Sequence, residues 1–107
     1  MKIGQEIIVK EDFKINTIVS DKVKTVRKGD KGFLDSKGFL HLVNGAGKGK
    51  IVKIDDIEVR GYDHENISKM VYKRLNNAFL IEPILEDEGY EVEDILDEIE
   101  DVLMDIL

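Results

Sequence analysis

The chain has 107 residues, of which 42% are hydrophobic and 36% charged, with a formal net charge of -7 at pH 7 and no cysteine. That length suits one domain, or a small module with an appended helical piece, and excludes a large multidomain enzyme. Without cysteine there are no disulfides, thiolate metal sites or cysteine nucleophiles, and no apolar run approaches the roughly 18 residues of a membrane span.

The first residues, Met1 to Glu6, lack the apolar stretch of a secretory signal, so a cytoplasmic protein is expected. Up to about residue 60, short β-type runs alternate with Gly, Asp and Asn. Candidate strands are 6–10, 22–27, 32–35, 39–43, 50–54 and 57–60. Lys28-Gly29-Asp30 and Ser36-Lys37-Gly38 carry turn chemistry, because glycine accepts the positive φ of tight hairpins. Five or six short strands with tight turns predict a small antiparallel β-barrel over 1–61, a closure that would also remove exposed sheet edges.

From Asp63 the period changes. Asp63 or Asn66 can cap a helix whose apolar face is Ile67, Met70, Val71, Leu75 and Phe79, ending near Asn76-Asn77. The segment 80–85 reads as a connector, since Pro83 biases Glu82 away from helix, although Pro also suits the opening of a short helical turn. After Gly89, the stripe Val92, Ile95, Leu96, Ile99, Val102, Leu103 and Ile106 predicts a terminal helix. The expected fold is thus α+β, with a barrel over 1–61 and two helices in 62–107 packed on the barrel or on a partner.

The charge is unevenly spread. Residues 1–74 hold all 16 Lys and Arg, against 11 acidic residues, whereas residues 75–107 hold 12 acidic residues and no basic one. On the terminal helix, Asp94 with Glu98, Glu93 with Asp97, and Asp97 with Asp101 are like-charge pairs four residues apart. A free helix of this length is marginal in water, so burial of its stripe must hold it. The cover is the Ile67 to Phe79 face of the same chain, a second copy joined through the stripe of residues 92–106, or another protein.

Motif tests for catalysis or cofactor binding fail. Asn44-Gly45-Ala46-Gly47-Lys48-Gly49-Lys50 resembles a phosphate loop, but Lys50 stands where the second Gly is required and a strand follows, so it reads as a flexible Gly-rich hairpin. Placing Gly89 at the sixth position of a calcium loop puts Ile84 and Ile95 at ligand positions. His41 and His64 each lack a sequence-adjacent histidine. No serine or threonine sits in a nucleophile elbow. Neither a cofactor, nor a metal, nor enzymatic activity is expected.

Val26-Arg27-Lys28-Gly29-Asp30-Lys31-Gly32-Phe33-Leu34 resembles the diverging turn of Src-homology-3-like barrels, with 38–43 and 51–59 where further strands would lie. More loosely, residues 1–60 resemble KOW-type barrels of transcription and ribosomal proteins, whose basic loops contact nucleic acid or polymerase. The chain has no Trp, no acidic-aromatic Tyr motif before the turn and no Pro near the final strand, so proline-rich peptides are not its expected ligands. Size and acidity are similar to those of small phage or mobile-element accessory proteins that inhibit host nucleic-acid enzymes.

Two functions follow as expectations. In the first, the chain is a non-catalytic interaction module whose acidic row Asp94, Asp97, Glu98, Asp101 and Asp105 meets a partner protein with a basic surface. Neighbours in that row lie about 5 to 6 Å apart, close to the spacing of strand phosphates, so the face could imitate nucleic acid. In the second, the barrel binds nucleic acid through Lys22, Lys24, Arg27, Lys28, Lys31, Lys48 and Lys50, with the acidic tail limiting nonspecific contact.

Overall fold

The computed structural model describes residues 1–17, 20–54 and 57–107, with side chains for all of these except 16, 17 and 20–22. The chain divides into two compact units, Met1–Gly61 and Tyr62–Leu107. The described strands are all N-terminal and the helices C-terminal, an α+β arrangement.

In the first unit, β1 (Glu6–Ile8), β4 (Lys31–Leu34), β5 (Phe39–Leu42) and β6 (Ile51–Lys53) form an antiparallel sheet in the order β1-β4-β5-β6. β2 (Phe13–Thr17) and β3 (Ser20–Val26) form a separate antiparallel hairpin, with Phe13 opposite Val26 and a register shift between Asn16 and Thr17. The inner face of the sheet supplies Leu34, Leu40 and Leu42, all buried, and Leu40 and Leu42 cluster with Val9 and with Val26 from the hairpin. Ile7, Phe13, Ile15, Val52 and Ile54 pack around this cluster. Alternation along β4 and β5 places every second residue inward, as a half-wet antiparallel sheet requires.

The expected closed barrel is not what forms. Two sheets share a core without joining into a ring, and β1 and β6 remain the edges of the larger one. Each of those edge strands has three residues and neither pairs with β2 or β3, so no ladder closes the ring. An open cleft of about 560 Å³, lined in part by Ile7, Val9, Phe13, Leu40, Val52 and Ile54, lies beside this core. Residues 57–60, expected as a strand, form none; Arg60 N–H donates to the Met1 carbonyl at 2.8 Å. The stretch 13–17, which carried no strand expectation, is β2.

The Gly-rich segment 44–50 connects the antiparallel strands β5 and β6, as a hairpin loop should, and is mostly exposed, with one residue turned into the core. Gly47 is buried, and a Cβ there would lie 2.7 Å from Leu42 Cδ1 and 3.1 Å from Val26 Cγ2. Packing requires that glycine, which removes the main reason to read the loop as a phosphate cradle.

The second unit contains α1 (His64–Phe79), α2 (Ile81–Asp87) and α3 (Val92–Ile106), one helix more than expected. Asp63 caps α1, its Oδ1 accepting from Asn66 N–H at 3.0 Å. The 80–85 connector is mostly α2. Pro83 falls in its first turn, where a missing N–H leaves no hydrogen bond unmade. Leu80 adopts a left-handed conformation (φ 50, ψ 56) that ends α1 and starts α2. Asn76 stitches the corner, its carbonyl accepting from Leu80 N–H and its Oδ1 from Glu82 N–H, each at 2.8 Å.

α1 packs against α3, but its buried positions are Ser68 and Tyr72, not the expected apolar row. Ser68 satisfies its hydroxyl on the His64 and Glu65 carbonyls. Val71, Leu75 and Phe79 are exposed, while Ile67 and Met70 are half-buried. On α3, Val92, Ile95, Leu96, Ile99 and Leu103 are half-buried, whereas Val102 and Ile106 are exposed. His64 Nε2 lies 3.1 Å from the Leu107 carbonyl, linking the start of α1 to the end of α3. No aliphatic side chain of residues 62–107 is fully buried.

Candidate functional site

The acidic row lies on a regular helix. Asp94 is spent locally, its Oδ2 accepting from Glu91 N–H at 2.9 Å as part of a capping box that starts α3. Asp97, Glu98, Asp101 and Asp105 are exposed, and the ion pairs among the described residues do not involve them. Residues 62–107 carry Lys69, Lys73 and Arg74 against 14 carboxylates, a net of -11. At low ionic strength that concentration of charge projects a negative potential several ångströms into solvent, which attracts cationic surfaces.

Of the expected basic contacts, Arg27 and Lys28 lie at the turn before β4, Lys31 at the start of β4, and Lys48 and Lys50 in the loop between β5 and β6. Lys31 N–H donates to Asn44 Oδ1 at 2.8 Å, and Val43 N–H donates to the Lys31 carbonyl at 3.0 Å. The start of β4, just after the turn bearing Arg27 and Lys28, therefore adjoins the beginning of the loop that carries Lys48 and Lys50. Lys24 is exposed on β3, and the side chain of Lys22 lies outside the described residues. Carboxylates are interleaved here: Asp30 accepts from Arg27 N–H, Asp12 accepts from Lys28 N–H, and Glu6 Oε1 stands 4.0 Å from Lys31 Nζ. The cationic surface is thereby diluted.

A pair absent from the motif analysis lies on the outer face of the sheet. His41 Nε2 is 2.8 Å from Asp35 Oδ2, and the imidazole stacks on Phe33 with ring centroids 4.8 Å apart. Asp35 Oδ1 also accepts from the N–H groups of Lys37 and Phe39, at 2.9 Å each. The His41 hydrogen bond, helped by those two N–H donors, holds the Asp35 carboxyl below its ordinary value despite partial burial. The signal was present in sequence: Asp35 and His41 flank a Ser-Lys-Gly turn, and antiparallel pairing sets Phe33 opposite His41. No serine, threonine or lysine side chain among the described residues is hydrogen-bonded to His41. The pair orders a hairpin.

Because its folded carboxyl is more acidic than the unfolded one, Asp35 contributes stability above the ordinary value of 3.8, and this is lost as pH falls through the lowered one. Amide exchange at Lys37 and Phe39 is expected to accelerate below that pH. In Asp35→Asn the acid-dependent part should vanish, and its persistence there would assign it to another carboxylate.

Tyr72 is the other residue that sequence reading passed over. It is 8% exposed, its hydroxyl is buried, and no hydrogen-bond partner for it exists among the described residues. Desolvation, then the carboxylates of Glu82 and Glu86, push its phenol above 10.0.

Among the described residues, no group of three or more His, Asp or Glu is placed to hold a metal ion and no helix is long and apolar enough to cross a membrane. No protein-family model, curated protein or solved structure matches the chain. With the sheets unclosed, the resemblance to Src-homology-3-like and KOW-type barrels is withdrawn. The likeness to phage accessory proteins was one of size and acidity and has no matching relative behind it.

Proposed function

We propose that the chain is a non-catalytic interaction module that offers the outer face of α3 to a basic site on a partner protein. One observation carries this reading: Asp97, Glu98, Asp101 and Asp105 are exposed on one helix without an ion pair to any described Lys or Arg. Since native surfaces usually intersperse charges of both signs, a single-sign helix face is costly to keep unless something cationic meets it. Regular spacing along α3 suits a surface that otherwise receives phosphates, so an inhibitor that occupies a nucleic-acid site is the specific form of this proposal. A second copy joined through the stripe of residues 92–106 is disfavoured, because each copy brings -11 to the contact.

The test is capture from a host lysate on immobilised full-length chain, with Asp97→Asn/Glu98→Gln/Asp101→Asn as control. That triple change relieves repulsion on α3, so helicity by circular dichroism should be kept or rise. Affinity for the captured protein is expected to drop about 10-fold or more, and the wild-type complex to weaken with salt. Binding indifferent to both would end this reading.

The adjoining segments that carry Lys28, Lys31, Lys48 and Lys50 favour a second reading, contact with nucleic acid by the first unit. Retention of a DNA oligonucleotide by the full chain at low salt, abolished by Lys28→Gln/Lys48→Gln, would favour it over the first.

A further inference from the structure

We infer that the corner between α1 and α2 is a docking point for a basic amphipathic helix of a partner protein, its apolar residues seated on Phe79, Leu80 and Ile84. This deepens the reading above and rests on it: the partner is again cationic, but its apolar face is new. Leu80 is the only non-glycine residue with positive φ among the described residues. A left-handed position strains a branched side chain and suits Gly or Asn. Leu80 is also 68% exposed, so burial returns little for that strain. Phe79 and Ile84 occupy the positions of a hydrophobic staple around the start of α2, yet they are 69% and 59% exposed. Three large apolar side chains thus stand in water at one rigid corner, pinned by the two hydrogen bonds of Asn76. Such a cluster marks an interaction surface.

Charge selects the occupant. Glu82, Glu86, Asp87 and Glu88 follow the corner closely, and no cation occurs from residue 75 to 107; the nearest, Lys73 and Arg74, lie on the preceding turn of α1. A second copy would set the same four carboxylates against themselves. An anionic lipid surface would be repelled as well. A helix with Lys or Arg bordering an apolar stripe satisfies both features and adds a layer to a unit whose aliphatic side chains are never fully buried.

The experiment titrates the full chain with a synthetic Leu/Lys peptide of helical apolar spacing, and with a scrambled peptide of the same composition, by calorimetry. Leu80→Asn/Ile84→Gln is the variant, chosen because Asn accepts the left-handed turn and Ile84 is exposed, so folding should survive. The amphipathic peptide is expected to bind about tenfold tighter than the scrambled one, with the variant losing that difference and keeping the weaker, salt-sensitive component. Equal binding of both peptides to wild type would overturn the corner and leave the acidic-face reading standing. If neither peptide bound, both would fall. A dimer seen by sedimentation equilibrium and abolished in the variant would assign the corner to a second copy and overturn the inference.

Discussion

Gly32→Ala is expected to destabilise the N-terminal unit by about 2–3 kcal/mol, with a corresponding fall in the urea midpoint. Gly32 sits inside β4, opposite Leu42 of β5. A Cβ there would lie 2.5 Å from the His41 carbonyl oxygen and 2.6 Å from Leu40 Cδ1. The first neighbour is backbone of the paired strand and can retreat only by loosening the ladder. The second belongs to a core leucine that is 3% exposed. Relief of one contact therefore worsens the packing that holds the other. Gly47→Ala meets mainly side-chain atoms, which can turn away at lower cost, so it should be the milder of the two. An unchanged midpoint for Gly32→Ala would mean that β4 and β5 approach less closely than described.

That contrast indicates where sequence reading works and where it stops. Turns at Gly29 and Gly38, both with positive φ, were legible because the requirement is local. The period of α3 was legible because seven apolar residues mark it. Closure of the barrel was not, since it depends on whether strands remote in sequence find each other, and three-residue edges do not announce that failure. Gly47 looked like loop flexibility because nothing adjacent in sequence reveals that Leu42 and Val26 crowd it. The α1 face was misjudged for a related reason. Hydropathy favoured Val71, Leu75 and Phe79, while packing against α3 and α2 buries Ser68 and Tyr72, whose polar atoms lower their apparent rank as core residues.

The acidic face and the loose helical core belong to one physical problem. α3 pairs carboxylates four residues apart, which opposes helix formation, and its half-buried flank and the capping box at Glu91 offset that cost. A cationic ligand would relieve the repulsion and, at the α1–α2 corner, bury apolar area that the unit leaves in water. Binding to either surface should therefore raise the melting midpoint of the helices.

Tyr72→Phe is expected to raise that midpoint by roughly 4 °C or more at neutral pH. In the folded unit the Tyr72 hydroxyl is buried without a hydrogen-bond partner among the described residues, whereas in the unfolded chain it is hydrated, so its removal takes away a cost borne only by the folded state. The ring is retained, so the apolar burial at this position of α1 is kept. The same hydroxyl gives the unit an alkaline weakness. Burial and the carboxylates of Glu82 and Glu86 raise its folded value above 10.0, so the folded state holds this proton more tightly than the unfolded one. The stability tied to it is complete below 10.0 and declines as pH rises through that value toward the raised one. Thermal melts followed by circular dichroism from neutral pH to above 10.0 should show a falling midpoint in wild type and a flatter profile in Tyr72→Phe. Tyr62→Phe provides the control, its residue being half-buried and not fully buried. A lower midpoint for Tyr72→Phe at neutral pH would show instead that the hydroxyl has a partner, and the buried face of α1 would need a different account.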